Sequence, residues 1–427
     1  MTSTAPGPGL VARTVWLDGD HGDGTRGGAG QPGPAIPDLI AFAGDDGLLF
    51  SHDGSTSFGA RGVALRVPAR RATEALAAVE VEDAVGRPGC GAIVVGALPF
   101  MGASGGELVI PRTVVGREPD GRGWMTTVTG GSGPPGDSDR AAVPSARSAV
   151  RDPDEFTLRP FPPHDQWCDA VAAAVAAIRN SRQTLVKVVL ARQVVVEANR
   201  PISPAHVAAR LMSLYPSCMI FSIDGFLGAS PELLVSRRGD AVSSQPLAGT
   251  IPRSGEPEVD RRLAAGLLAS TKERQEHALV VDEVADRLRS HCTAISVPEV
   301  PVIVPLRNVS HLGTRITGTL AAGAPSALDL ALLLHPTPAV AGTPTAEALG
   351  FLDRVEPGDR GRYTGPVGWM DARGDGDWAV AIRCAELDGH RARLYAGAGV
   401  VADSTPEAEL AETQLKLQAL LAAVVRP

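Results

Sequence analysis

Four glutamates occur as two pairs of identical spacing, and this is the pattern in the sequence best suited to metal chemistry. Glu273 and Glu276 lie in STKERQEH, and Glu409 and Glu412 lie in EAELAET. Residues three apart share a helical face, so each pair presents two carboxylates together. Four converging carboxylates repel unless a cation neutralises them, and oxygen-only ligands favour a hard ion such as Mg²⁺. The alternative is two solvated helix faces, with Glu412 bonded to Lys416 one turn on.

Two further charged residues stand alone in apolar surroundings. Glu232 follows Gly-Ala-Ser-Pro in FLGASPELLV, and Lys187 lies within the strand-like run LVKVVLAR. Burial raises the pKa of a carboxyl group and lowers that of an amine. Glu232 is therefore suited to hold a proton and Lys187 to act as a base. The alternatives are a solvated glutamate at a hairpin turn and a strand-edge lysine that limits aggregation.

Three other stretches could shape a binding pocket. HPTPAVAGTP, residues 335–344, has too many prolines and glycines for a helix or central strand, so we expect a rigid pocket-lining loop or else a surface turn. YAGAG, residues 395–399, has two glycines where backbone N–H groups could approach an anion, but no GxGxxG pattern. Arg383, in AVAIRCAEL, could bind a carboxylate or pair with a neighbouring glutamate.

Composition excludes several classes of protein. The 427 residues carry a net charge of −8, whereas a nucleic-acid-binding protein would show a basic face. No apolar run approaches the roughly 18 residues of a membrane span, and the N-terminal sequence lacks the apolar core of a signal peptide. The five cysteines are scattered without metal-binding spacing, which favours free thiols in a cytoplasmic protein over disulfides or a zinc site.

Hydrophobic periodicity and turn residues predict a mixed succession of elements. Strands are predicted near Val11–Leu17, Leu39–Ala43, Val63–Val67, Ala92–Leu98, Glu107–Val115, Leu185–Val196, Met219–Ile223, Val302–Val309, Gly313–Thr319, Gly365–Met370, Trp378–Leu387 and Arg391–Val401, with a hairpin over 226–253. Helices are predicted at Arg71–Glu82, His164–Asn180, Ile202–Tyr215, Asp260–His291, Ala327–Leu334 and Thr405–Ala423.

This succession predicts an α+β fold, a layered arrangement of mixed helices and strands with large antiparallel sheets in the core and helices outside. Residues 1–36 are expected to be a flexible lead-in. Residues 37–427 are expected to form one catalytic domain, comprising a divergent half over 37–115, a flexible insertion over 116–153 and a motif-rich half over 160–425. The first half has too few long helices to close a core alone.

Taken together, the motifs resemble the chorismate-utilising enzymes, and within them the isochorismate synthases. The matching segments are KVVLAR, FLGASPELLV, QPLAGTIPR, STKERQEHALVVDEV, HPTPAVAGTP, RGRYTGPVGWMD, WAVAIRCAEL and YAGAGVVADSTPEAELAET. They cover roughly residues 160–425 in the family's order, and VVGALPFMG resembles the family's weaker N-terminal half.

The resemblance implies a role for each matching residue. Lys187 matches the family's general base and Glu232 its general acid. Glu276 and Glu412 match the Mg²⁺ ligands, with Glu273 and Glu409 in the surrounding water-mediated shell. The positions that hold the carboxylates and ring of the substrate, chorismate, are matched by Gly249, Thr250, Tyr363, Arg383, Gly397, Gly399 and Lys416, with Ala339 and Val340 lining the pocket beside the ring.

The implied reaction is Mg²⁺-dependent isomerisation of chorismate to isochorismate, which supplies siderophore or menaquinone biosynthesis. Anthranilate synthases resemble this fold but have glutamine where Lys187 stands, and aminodeoxychorismate synthases have a nucleophilic lysine where Ala248 stands. Salicylate synthases, which also eliminate pyruvate, tend to have a hydroxyl residue where Ala339 stands. They remain the first alternative, and a chorismate-binding paralogue without activity is the second. We expect a monomer with a small-molecule substrate and no nucleic-acid or membrane partner.

Overall fold

The computed structural model of the protein describes residues 9–17, 38–130, 151–180 and 184–425. The strands of these residues are β1 Leu10–Trp16, β2 Leu48–Ser51, β3 Ser57–Pro68, β4 Glu80–Asp83, β5 Ile93–Ala97, β6 Glu107–Arg117, β7 Gly123–Gly130, β8 Phe156–Phe161, β9 Lys187–Ala198, β10 Met219–Ile223, β11 Phe226–Ser230, β12 Leu233–Arg238, β13 Ala241–Gln245, β14 Leu247–Pro252, β15 Cys292–Ser296, β16 Val302–Pro305, β17 Val309–Gly313, β18 Ile316–Leu320, β19 Gly342–Thr343, β20 Pro366–Asp371, β21 Gly376–Val380, β22 Cys384–Asp388 and β23 Arg391–Val400. The α-helices are α1 Leu39–Ala43, α2 Ala72–Ala77, α3 His164–Arg179, α4 Pro204–Leu214, α5 Pro257–Ala269, α6 Thr271–Arg289, α7 Ala327–Leu334, α8 Thr345–Val355 and α9 Pro406–Val425.

Twenty of the described strands form one hydrogen-bonded network, and β14, β17 and β16 form a small second sheet. Strand pairing is antiparallel throughout the described residues except between β1 and β4. The two halves of the chain share the large network, because β2 pairs with β10 and β5 pairs with β20. The predicted α+β class with large antiparallel sheets is confirmed.

The strand β9 is the central element of the functional half. Its β-branched run KVVLARQVVVEA pairs with β23 over ten residues and also with β8 and β19. Valine is favoured in such buried, pleated positions. The register places Gly397 opposite Ala191 and Gly399 opposite Val189. The ladder therefore fixes the two glycines of YAGAG beside the strand that begins at Lys187.

Several predicted elements are corrected. Leu39–Ala43 is the helix α1 rather than a strand, since the Asp38 side chain caps it by accepting hydrogen bonds from the backbone N–H groups of residues 40 and 41. The predicted helix Arg71–Glu82 is also too long, because α2 ends at Ala77 and the edge strand β4 begins at Glu80.

The helix predicted over Asp260–His291 is two helices. Ser270 separates α5 from α6, and its side chain caps α6 by accepting from the backbone N–H of Glu273. A serine hydroxyl competes with helical hydrogen bonding, so it favours a helix start over a helix interior. The predicted strand Val302–Val309 is likewise divided, into β16 and the start of β17.

The insertion predicted over 116–153 is partly ordered. Gly123–Gly130 forms β7, which pairs with β1 and β6. The predictions for residues 1–8, 18–36 and 131–150 lie outside the described residues. No helix among the described residues is long and apolar enough to cross a membrane.

Candidate active site

A cavity of about 200 Å³ lies between the end of β9, the β11–β12 corner, β14, and the helices α6 and α9. It is lined by every residue that the sequence analysis named for catalysis, substrate binding or metal binding. These residues are Lys187, Glu232, Gly249, Thr250, Glu273, Glu276, Ala339, Val340, Tyr363, Arg383, Gly397, Gly399, Glu409, Glu412 and Lys416. The fold therefore brings the predicted set together, while the role of each residue remains a prediction.

Glu232 lies at the corner between β11 and β12 and is 4% exposed. Its backbone is anchored on both sides: its N–H donates to Ser230 Oγ (3.2 Å), and its carbonyl accepts from the Val380 N–H (3.1 Å). Burial raises the pKa of Glu232 to about 8. The carboxyl group is therefore protonated at neutral pH, as a general acid requires.

Lys187 is the first residue of β9, and its side chain is 5% exposed. Its ammonium group contacts the Glu276 carboxylate at 2.6 Å. The predicted alternative of a strand-edge lysine is therefore wrong. As the structure places it, the amine contacts Glu276, so a role as a base requires it to separate from that carboxylate first.

The four glutamates approach the cavity from two helices. Burial is the main cause that raises the pKa of Glu273 and of Glu409, and neighbouring carboxylates raise both further. Burial acts in the same direction on Glu276, but the charge and hydrogen bond of Lys187, together with the charges of Lys272 and Lys416, outweigh it and lower the pKa of that group. Lys416 contacts Glu412 at 2.6 Å, so the pairing expected from the i, i+4 spacing is present, but inside the cavity rather than on a solvated face.

The donor chemistry of this cluster fits a hard divalent cation, because all four side chains offer carboxylate oxygens. Among the described residues, no group of three or more Asp, Glu, His or Cys side chains is close enough together to hold a metal ion in the present arrangement. Lysine ammonium groups instead contact Glu276 and Glu412. The five cysteines are free thiols.

Arg383 lies between β21 and β22, which the sequence analysis had predicted as one strand. Its φ angle of 52° is unusual for a residue with a side chain and breaks the strand there. Arg383 is 8% exposed, and its Nη1 has no hydrogen-bond partner among the described residues. A buried cation with a free donor at a cavity wall is suited to bind a carboxylate of a ligand.

His311 is the main residue that the sequence analysis missed. Its Nε2 accepts from Arg383 Nη2 (3.1 Å), and its Nδ1 lies 3.1 Å from the carbonyl oxygen of Gly249. Burial, together with the charges of Arg383 and Lys416, lowers the pKa of His311 to about 3, so the ring is neutral. It therefore positions the guanidinium without adding charge. A polar residue within the strand pattern SHLG was the available signal.

Close packing explains the glycines of the cavity. A Cβ on Gly397 would lie 2.9 Å from Tyr363 Oη, and one on Gly399 would lie 2.9 Å from Lys187 Cε. Gly249 has a φ of +70°, and a Cβ there would lie 2.9 Å from Glu273 Oε2. A Cβ at these positions would force the neighbouring functional side chains to shift, so the glycines allow the backbone to approach them closely.

The loop that carries Ala339 and Val340 forms another part of the cavity wall. Arg360 fastens it: Nη1 donates to the Val340 carbonyl (2.8 Å), and Nη2 donates to the Val189 carbonyl (2.6 Å). The guanidinium is in turn paired with Glu356 at 2.6 Å. The predicted pocket-lining loop is confirmed. Other lining residues that the sequence analysis did not name are Leu247, Lys272, Thr364, Ile382, Tyr395, Ala396, Val401 and Ser404.

The fold and the site define the class of protein. Residues 139–425 match the family described as chorismate binding enzyme, so the chain belongs to that family. Within it, the predicted resemblance to isochorismate synthases is confirmed. Isochorismate synthase DhbC of Bacillus subtilis is 44% identical over 280 residues, which cover 63% of this chain and 70% of the relative.

Two further comparisons agree. Isochorismate synthase EntC of Escherichia coli is 39% identical over 264 residues, covering 61% of this chain and 67% of the relative. The solved structure of MenF, the menaquinone-specific isochorismate synthase from Escherichia coli, superposes with a TM-score of 0.81 at 26% identity, covering 98% of this chain and 95% of that structure. The chain is thus an enzyme of the chorismate-binding family and is similar to proteins named isochorismate synthases.

Proposed function

We propose that the protein converts chorismate into isochorismate. The observation that carries the proposal is the placement of Glu232, with a pKa of about 8, and Lys187 on the wall of one cavity. A protonated acid and an amine in one site suit a reaction that needs a proton donated at one carbon and removed at another. The names of the relatives support the same reaction.

In the proposed mechanism, chorismate is held by its two carboxylates. The free donor of Arg383 binds one of them, and the Tyr363 and Gly397 wall supports the ring. Lys187, as the free amine, takes a proton from a water molecule whose oxygen bonds to ring carbon C2. The ring double bonds shift as the C4–O bond breaks, and protonated Glu232 gives its proton to the departing hydroxyl, which leaves as water.

The proposed reaction is balanced, because one water molecule enters and one leaves, and substrate and product are isomers. Lys187 ends as the ammonium and Glu232 as the carboxylate, so the proton must return from the lysine to the glutamate, through solvent, before the next turnover. No redox cofactor is needed.

We further propose that Glu276 and Glu412 hold a Mg²⁺ ion, with Glu273 and Glu409 in its water-mediated shell. When bound, such an ion supplies electrostatic stabilisation and orientation of the substrate carboxylate. The donor set supports the proposal, since carboxylate oxygens suit a hard cation. Burial is the main cause that raises the pKa of Glu273 and Glu409, and the neighbouring carboxylates add a repulsion that a cation would relieve.

The choice of isochorismate synthase over related activities depends on three positions. Lys187 can activate water, whereas the glutamine that anthranilate synthases have at this position cannot. Ala248 supplies no nucleophile, which disfavours the aminodeoxychorismate reaction. Ala339 supplies no hydroxyl beside the ring, which favours release of isochorismate over elimination of pyruvate.

The test is chromatography of the purified enzyme incubated with chorismate, with Mg²⁺ in one tube and EDTA in another. We expect isochorismate to accumulate toward an equilibrium mixture only with Mg²⁺, and Lys187→Ala to be inactive although folded. Salicylate with pyruvate would contradict isochorismate synthase and support the lyase alternative. Ligand-induced stabilisation without any product would support a chorismate-binding protein that lacks activity.

A further inference from the structure

Two lysines inside the cavity contact two of the glutamates with the same geometry. Lys187 Nζ lies 2.6 Å from Glu276 Oε1, and Lys416 Nζ lies 2.6 Å from Glu412 Oε1. These are the two glutamates proposed as direct ligands of the divalent cation. The partners come from different parts of the fold in the first pair and from one turn of α9 in the second.

We propose that the ammonium groups of Lys187 and Lys416 are built-in counter-ions that neutralise Glu276 and Glu412 while the site lacks metal, so that a divalent cation must displace both. The inference rests on the proposed function, because it takes these glutamates as the metal ligands. It goes further by giving two residues of the substrate machinery a second role in the metal-free protein.

The electrostatics of the cavity require such counter-ions. The side chains of Glu276 and Glu412 are 17% and 31% exposed, and they share one wall with Glu273 and Glu409. Buried carboxylates without a partner are costly, and four of them around one cavity add mutual repulsion. The described structure meets this requirement with one ammonium group for each proposed direct ligand.

The two glutamates assigned to the outer shell provide a comparison. Glu273 and Glu409 line the same cavity but have no ammonium contact among the described residues. Direct lysine contact is thus confined to the glutamates proposed to touch the metal. A general need for surface ion pairs would not produce this selection.

After a cation displaces them from the glutamates, both lysine side chains would remain in the cavity, where each has another role. Lys416 Nζ also donates to the Gly397 carbonyl (3.0 Å), so this side chain keeps an anchor when it leaves Glu412. Lys187 Cε lies against the position of Gly399, which confines the amine to the cavity. Cation binding would therefore release one lysine toward the attacking water and the other toward a substrate carboxylate.

Lys272 supplies a matched control. It lines the same cavity on the first turn of α6, but it is exposed and forms no hydrogen bond or ion pair with the described residues. Removing its charge changes the general electrostatic field of the glutamates without vacating a contact. The Lys272 variant thus separates two effects on cation binding: competition by a lysine in direct contact with a glutamate, and general repulsion of the cation by a nearby positive charge.

The experiment measures binding of Mn²⁺, a spectroscopic substitute for Mg²⁺, by the loss of the free-ion electron paramagnetic resonance signal in the absence of chorismate. We expect Lys187→Met and Lys416→Met to bind Mn²⁺ about tenfold more tightly than the wild type, or better, and Lys272→Met to bind within about threefold. Thermal melting checks that each variant is folded. If Lys187→Met does not fold, Lys416→Met carries the test, because Lys416 is less buried than Lys187.

Unchanged or weaker binding in the folded lysine variants, or equal tightening by Lys272→Met, would overturn the inference. Failure to bind Mn²⁺ in the wild type would overturn it together with the proposed metal site. If the wild type forms isochorismate but the lysine variants bind Mn²⁺ no more tightly than it does, the inference is overturned while the proposed function stands. A crystal structure with Mg²⁺ gives an independent check, with both Nζ–Oε1 separations expected to exceed 4 Å.

Discussion

Replacing Glu232 by glutamine changes the titration of one carboxyl group while keeping the shape of the side chain. Burial holds the pKa of Glu232 at about 8, against an ordinary value of 4.5. Between these values the folded protein binds a proton that the unfolded chain does not. The free energy of unfolding contributed by this group is therefore present in full below pH 4.5 and is lost as the pH rises to 8.

The size of the effect follows from the same two values. A gap of about 3.5 pH units corresponds to a loss of about 5 kcal/mol, at about 1.4 kcal/mol per unit. Glutamine does not titrate, so Glu232→Gln should lack this loss. Urea denaturation followed by tryptophan fluorescence at pH 5 and pH 8, without metal or substrate, should show the variant gaining several kcal/mol on the wild type between the two pH values.

The same substitution should lower catalytic activity, although it raises stability relative to the wild type at high pH. Loss of a general acid lowers the rate by about 10²- to 10⁴-fold, so Glu232→Gln should be nearly inactive at every pH. In the wild type, kcat/KM should fall as the pH rises through about 8, when the acid loses its proton. Parallel stability curves for the two proteins, or a variant with near-normal turnover, would refute the assignment of Glu232 as a buried, protonated acid.

Three further substitutions test the walls of the cavity. Arg383→Lys removes the two-pronged donor and should raise the KM for chorismate about ten- to hundredfold, and an unchanged KM would exclude Arg383 from substrate binding. His311→Phe removes the acceptor of Arg383 Nη2 and should raise the KM more than it lowers kcat, whereas a pure kcat effect would contradict a positioning role. Gly397→Ala places a Cβ 2.9 Å from Tyr363 Oη and should cost about 1–3 kcal/mol in stability and weaken chorismate binding. Gly350→Ala, on a helix with nothing nearer than 3.8 Å, is the control and should be neutral or stabilising by thermal melting; equal effects of the two changes would contradict the packing argument.

The residues that line the cavity could be predicted from the sequence because their motifs are local and specific. The Glu273 and Glu276 spacing places both carboxylates on one helical face, and the apolar run around Lys187 predicts burial. Both expectations concern single elements, which periodicity describes well. The resemblance to a family then supplied what periodicity could not, namely that these elements converge on one cavity.

Contacts between distant elements could not be predicted. The pairing of Lys187 with Glu276 depends on how β9 meets α6, and no local pattern encodes it. The pairing of Glu412 with Lys416 could be predicted from its i, i+4 spacing within one helix. This difference explains why one ion pair was expected and the other was not.

Breaks within apolar runs were also missed. The run WAVAIRCAEL has a continuous strand pattern, yet Arg383 adopts a positive φ that divides it into β21 and β22. Ser270 interrupts a helical pattern in the same way, and its capping signal was overlooked because charged residues at helical spacing continue on both sides. In α1, the run of five apolar residues is too short to distinguish a strand from a helix, and the Asp38 cap was the deciding signal.

The most direct test of the proposed reaction is incubation of the enzyme with chorismate and Mg²⁺ in H₂¹⁸O, followed by chromatography and mass spectrometry. The mechanism predicts isochorismate carrying one ¹⁸O in its C2 hydroxyl group, because the attacking oxygen comes from water. Absence of isochorismate, or isochorismate without the label, would contradict it.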